Sequence, residues 1–187
     1  MTRIIAGRYG GRRIAAPPGE QTRPTSDRVR EALFSALDAM TELAGARVAD
    51  LYAGSGAVGL EALSRGASHV LLVESAPRAA RTIRDNIAAL RAAADARLVT
   101  AKVATVLAEP PAGPGYDVVF ADPPYAATDV ELQTVLTRLV TGGWLAPQAV
   151  VVVERSTRGP ALSWVEGITA ERGRRYGETM LWYGRRS

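Results

Sequence analysis

The 187-residue sequence predicts an α/β fold: a mostly parallel sheet with helices on both faces. Three observations carry the prediction. From Gly45 onward, short β-rich apolar runs alternate with stretches whose apolar residues recur at helical spacing. The run Ala149-Val150-Val151-Val152-Val153-Glu154 is almost continuous in valine, as a strand buried on both faces must be. Gly54, Gly56 and Gly59 follow the first strand of the series in G-x-G-x-x-G spacing, where a strand turns tightly into a helix.

Taken in order, the chain opens with two β-capable runs, Arg3-Ile4-Ile5-Ala6 and Arg12-Arg13-Ile14-Ala15. They flank Gly10-Gly11 and predict a hairpin ended by Pro17-Pro18-Gly19. Residues 1–24 read as a basic arm ahead of one larger domain, 25–187. A helix follows, capped by Thr25 or Ser26, with Asp27 favouring its first turn and Val29, Leu33, Phe34, Leu37 and Met40 on its buried face. Strands are predicted at 47–52, 69–74, 96–101, 116–121 and 149–154, with a terminal pair at 163–169 and 178–183, seven in all. Helices are predicted at 57–65, 77–92 and 128–140, the second with proline near its start and the third closed by Gly142-Gly143. Residues 108–115, rich in proline and glycine, read as a loop.

Composition narrows the function classes. Apolar residues make up 47% and charged residues 22%, which suits one globular domain with a real core. The formal net charge is +4, and of the 23 basic residues only Lys102 is a lysine. Arginine's planar fork matches phosphate and stacks on bases, so a polyanionic partner fits. Seven arginines between residues 3 and 30 face two acids there, an excess suited to a phosphate-binding arm made of Arg3, Arg12, Arg13, Arg23 and Arg28. With no cysteine and one histidine, a disulfide framework and a multi-histidine metal centre are excluded. No secretory or membrane-spanning apolar run is present, so a soluble cytoplasmic protein is expected.

Two stretches carry chemistry. Asp50-Leu51-Tyr52-Ala53-Gly54-Ser55-Gly56 sits at the first strand-to-helix turn, and Glu74 ends the second strand, where a carboxylate can accept both hydroxyls of a ribose. Dinucleotide and S-adenosylmethionine both fit this half. Asp50 separates them: it would oppose a pyrophosphate but suits a sulfonium cofactor carrying an amino group. The second stretch is Asp122-Pro123-Pro124-Tyr125, at the end of the fourth strand. Each proline fixes its φ and lacks an N–H, so the corner presents acceptors only: the Asp122 carboxylate and the carbonyls of Asp122 and Pro123. Acceptors beside the Tyr125 ring suit a planar base bearing an amine. Ligands of open α/β sheets bind outside the carboxyl ends of the strands, so Gly54, Glu74 and Asp122 are expected in one pocket. His69, the three tryptophans, Asn86 and Glu154 are read as structural, and the charges of residues 78–97 as a solvated helix face.

The glycine turn together with Asp122-Pro123-Pro124-Tyr125 resembles Rossmann-like class I methyltransferases that act on nucleic-acid amino groups. The finer resemblance is to the RsmD family, bacterial 16S ribosomal RNA guanine-N2 methyltransferases. It rests on Arg3-Ile4-Ile5-Ala6-Gly7, Thr22-Arg23-Pro24-Thr25, Arg28-Val29-Arg30-Glu31-Ala32-Leu33-Phe34, Asp50 to Gly56, Asp122 to Tyr125 and Arg175-Tyr176-Gly177-Glu178-Thr179. The resemblance implies S-adenosylmethionine as methyl donor and guanine 966 of the small-subunit RNA as target, in free RNA, a small ribosomal subunit or an assembly intermediate. It implies cofactor contacts from Asp50, Ala53, Gly54, Ser55, Gly56, Glu74, Ser75 and Asp122, and catalysis by Asp122, Pro123 and Tyr125. It departs at Lys102, where related enzymes carry an acid near the adenine; the Val103 backbone N–H is then expected to serve. A monomer without a membrane partner is expected. Alternatives at this point are a DNA adenine-N6 methyltransferase, a nicotinamide oxidoreductase, and an RNA-binding module with a vestigial pocket.

Overall fold

The computed structural model describes residues 2–17 and 24–187, without the side chains of 24–26. The predicted end of the hairpin at Pro18-Gly19, Arg23, and the caps Thr25 and Ser26 lie outside this description. The N-terminal hairpin pairs β1 (Thr2–Arg3) with β2 (Arg13–Ile14), Thr2 opposite Ile14. Helix α1 (Pro24–Met40) leads into a seven-stranded sheet.

The sheet is built from β3 (Arg47–Leu51), β4 (His69–Glu74), β5 (Ala96–Thr100), β6 (Tyr116–Ala121), β7 (Leu145–Ser156), β8 (Ile168–Tyr176) and β9 (Thr179–Arg186), in the order β5-β4-β3-β6-β7-β9-β8. The first five are parallel; β9 runs antiparallel to β7 and to β8. Helices α2 (Ala57–Ser64), α3 (Pro77–Ala89), α4 (Val103–Leu107) and α5 (Asp129–Thr141) connect the strands. The period-two alternation of each strand divides the core. Val48, Val70, Val118 and Val150 face α1, α2 and α3; Ala49, Leu71, Val119 and Val151 face α4 and α5. Val150 to Val153 are each fully buried, worth about 1.5–3 kcal/mol apiece.

The departures from expectation have local causes. Helix α4 is too short to show a periodicity. Strand β7 starts four residues before the valine run, because Pro147 and Gln148 (φ 63°) lie at a register shift between Tyr116 and Val118 of its neighbour. Strand β8 lies later than expected, since its polar sequence Ile168-Thr169-Ala170-Glu171-Arg172-Gly173-Arg174-Arg175-Tyr176 belongs to a sheet edge and carries no apolar alternation.

The hairpin is joined to the core. Ile4 and Ile14 are buried beside Leu33, Phe34 and Leu63. Glu61, fully buried on α2, accepts the N–H groups of Ile5 (2.8 Å) and Ala6 (3.1 Å) and the Nε–H of Arg65 (2.9 Å), and lies 3.5 Å from Arg30 Nε. Asn86, read as structural, donates to Ala15 O and Ser55 O, both at 2.9 Å, and accepts from Ala15 N at 2.8 Å, far from its own helix in sequence. His69 stands at the opposite end of the strands from the site, its Nε2 3.5 Å from the Tyr116 hydroxyl; Trp144 is buried and stacked on the same tyrosine.

Candidate active site

The alternation that divides the core also builds the site. Carried to the strand tips, it brings Glu74 (β4), Asp50 (β3), Asp122 (just past β6) and Glu154 (β7) onto the same face of the sheet, on four neighbouring strands. All four line one cavity of about 1540 Å³.

Asp50 is 1% exposed and accepts the Gly59 N–H at 2.9 Å. That bond needs the third glycine: a Cβ on Gly59 would lie 2.7 Å from Leu72 Cδ2 and 2.8 Å from Val70 Cγ1. Burial drives the Asp50 carboxyl well above its ordinary range, opposed by the Gly59 bond and reinforced by the charges of Asp122, Glu74 and Glu154. Glu74 holds the glycine turn, accepting Gly54 N–H at 2.8 Å on one oxygen and Ala76 N–H at 2.9 Å on the other. A carboxylate has roughly four lone-pair sites, so it retains capacity for hydroxyls on the cavity side. Gly54 (φ 60°) has open space where a Cβ would stand, and Gly56 (φ 82°) caps α2 while packing against Leu72 and Ile83. Tyr52 adopts φ 62°, a left-handed conformation costly for a bulky residue, at the cavity wall. Asp50, Gly54 and Glu74 thus make the end of the cavity able to hold a nucleoside bearing an amino acid.

The other wall is the Asp122-Pro123-Pro124-Tyr125 corner. Pro123 is buried, whereas the Tyr125 ring is 84% exposed at the cavity edge. The corner is fixed from behind: Pro124 O accepts the Ala127 N–H at 2.9 Å, and Thr128 with Glu131 forms a reciprocal cap on α5. Glu154 is half-buried. Desolvation, with the Asp122 charge alongside, pushes its carboxyl up to about 8.

Of the predicted residues, Asp50, Ala53, Gly54, Ser55, Glu74, Ser75, Asp122, Pro123 and Tyr125 line the same cavity. Gly56 and Val103 do not; Val103 opens α4 and packs its side chain in the core. Nor do Arg3, Arg12, Arg13 and Arg28, all exposed, and Arg12 donates to Ala89 O at 2.7 Å. The cavity wall also includes Tyr52, Arg155 and Arg158, to which sequence reasoning gave no role, and Glu154, which it read as structural. Glu154 had a signal, since the alternation that runs from Val118 to Asp122 runs likewise from Val150 to Glu154.

This fold and this arrangement of strand tips define a class I methyltransferase. Residues 2–185 match the family described as conserved hypothetical protein 95. Ribosomal RNA small subunit methyltransferase D of Escherichia coli (strain K12) is 39% identical over 152 residues, 81% of this chain and 73% of that protein. The solved structure of Escherichia coli yhhF superposes with a TM-score of 0.85 at 34% identity, over 100% of this chain and 98% of that one. The chain belongs to this family, the RsmD family of the sequence resemblance. Magnesium protoporphyrin IX methyltransferase of Synechocystis PCC 6803, solved with bound SAM, shares the fold at a TM-score of 0.68 and 14% identity, over 90% of this chain and 87% of that one.

Proposed function

We propose that this chain transfers a methyl group from S-adenosylmethionine to the exocyclic N2 amine of a guanine in 16S ribosomal RNA. It acts in the cytoplasm as a monomer, on the small ribosomal subunit or an assembly intermediate. The observation that carries the reading is one cavity shared by the Asp50–Glu74 end and the Asp122–Tyr125 corner. The names of its relatives, which are ribosomal RNA methyltransferases, support the RNA substrate.

The residues fit the donor. Asp50 suits its amino group, the open backbone at Gly54 admits its close approach, and Glu74 retains acceptor capacity for ribose hydroxyls. When bound, the donor supplies a methyl group made electrophilic by the adjoining sulfonium. The chain's part is positioning and electrostatics. A guanine amine is a poor nucleophile because its lone pair is delocalised into the ring. The Asp122 carboxylate and the Pro123 carbonyl accept its two hydrogens and favour a pyramidal nitrogen, localising that lone pair. The exposed Tyr125 ring stacks on the extruded base, a contact worth roughly 1–3 kcal/mol.

The test is to offer tritiated methyl donor to naked 16S RNA, assembled small subunits and DNA, and to identify the labelled nucleoside. N2-methylguanosine in RNA is the expected product. N6-methyladenine, or no transfer at all, overturns the reading.

A further inference from the structure

Glu154 is a half-buried carboxyl that the mechanism above leaves unused. The β6–β7 register, Phe120 opposite Val152 and Ala121 opposite Val153, carried one residue further sets Glu154 beside Asp122. Neighbouring strands lie about 4.8 Å apart, a spacing comparable to the length of a purine's Watson–Crick edge. No hydrogen bond to the Glu154 side chain is found among the described residues, and Glu154 lines the cavity. Its oxygens are not among the fully buried atoms that lack a partner, so they reach the cavity and are open to a ligand there.

We propose that Glu154 reads the target base, its carboxyl engaging O6 and N1–H of guanine while Asp122 takes the N2 amine beside them. The inference rests on the guanine-N2 reading and adds to it the residue that selects the base. Burial and the adjacent Asp122 charge push the Glu154 carboxyl up to about 8, which favours the protonated acid at neutral pH. A neutral carboxyl offers one donor and one acceptor. Guanine's edge presents in sequence an acceptor (O6), a donor (N1–H) and the amine. The neutral acid matches the first two as a cyclic pair and leaves the third to Asp122 and Pro123. Adenine cannot satisfy both carboxyls in this way. Its amine is adjacent to N1, so pairing with Glu154 draws the amine away from Asp122, and nothing but a C–H remains on the edge.

The probe is 2-aminopurine, which keeps the N2 amine but lacks O6 and the N1 hydrogen. Small subunits are assembled on 16S transcripts carrying either guanine or 2-aminopurine at the methylated position. Methyl transfer and equilibrium affinity are measured for each. The wild-type protein should favour guanine on the order of 10- to 100-fold. Glu154→Leu, an apolar substitution of similar size suited to a half-buried site, should erase that preference while leaving donor affinity unchanged. Glu154→Gln presents the same donor and acceptor and should retain it. The proposal is overturned if the wild type shows no preference, if Glu154→Leu keeps it, or if Glu154→Gln loses it as fully as leucine does. If the wild type makes no N2-methylguanosine on guanine subunits, the underlying reading has failed and this inference with it.

Discussion

At Asp50 and Glu154 the chain holds carboxyls where a charge is disfavoured, and this sets a pH dependence whose sign follows from linkage. Both groups take up a proton more readily folded than unfolded. Their contribution to stability is therefore complete below the ordinary carboxylate range and is lost as pH rises through the folded value. For Glu154 the window runs from 4.5 to about 8. Glu154→Gln should flatten the fall in denaturant midpoint across that window, leaving the slope due to Asp50 and the opposing one of His69, whose pKa burial lowers; an unchanged slope refutes the assignment. Asp122 has a different role. Asp122→Ala should lower methyl transfer by about 10²-fold or more while calorimetry still detects donor binding. At this scale the sequence was legible where a local rule forces the residue's place: Asp122 before two prolines, Gly59 against the sheet, Glu74 at a strand tip. Tyr52's left-handed backbone was not, because no turn rule asks for a tyrosine there. Nor was Asn86, whose bonds span 71 and 31 residues of sequence.

Among the elements, α3 joins two parts that the sequence presents as separate. Through Asn86 it ties Ala15, at the end of the hairpin, to Ser55 in the glycine turn. Ala15 is followed by Ala16, which itself lines the cavity. Asn86→Ala leaves part-buried backbone groups of both partners without their bonds, a loss of about 1–3 kcal/mol at most. It should lower the melting temperature and weaken donor binding together, since the turn that receives the donor loses its brace. Asn86→Asp should be at least as harmful, because it sets a carboxylate against the carbonyls of Ala15 and Ser55. Donor affinity that stays intact while stability falls would confine Asn86 to the hairpin. Elements with strong local signals came through from sequence: β4 and β6 at their predicted ends, α3 at its proline, α5 at its closing glycine. Strand β8 did not, because an edge strand is defined by its neighbour and its charges rather than by apolar periodicity.

For the whole molecule, alternation of strand and helix implied a parallel sheet, but nothing local dictates that β3 lies between β4 and β6, or that the tail adds β9 before β8. That order brings the four acidic tips side by side, and it is set by the packing of the whole core. The surplus of arginine is likewise a property of the whole: a net charge of +4 with 23 basic residues against 19 acids. Its use in gripping RNA cannot be tested by removing the N-terminal arm. Truncation would take Ile4 and Ile14 out of the core and leave the buried Glu61 carboxylate without the Ile5 and Ala6 amides. Replacing exposed charge alone is cleaner. Arg13 and Arg28 are exposed and take part in no ion pair among the described residues, so Arg13→Gln with Arg28→Gln should leave the melting temperature unchanged. If both meet phosphates, the slope of log affinity against log salt should fall by about 1 for each arginine removed, with no change in base preference. Arg155 and Arg158, at the cavity wall beyond Asp122, provide the contrast: Arg158→Gln removes an exposed charge whose one ion pair among the described residues is with Glu178 at 3.2 Å. A slope insensitive to Arg13 and Arg28 but reduced by Arg158→Gln would move the RNA backbone from the hairpin to the β7 side of the site, and binding measured over a salt series decides between them.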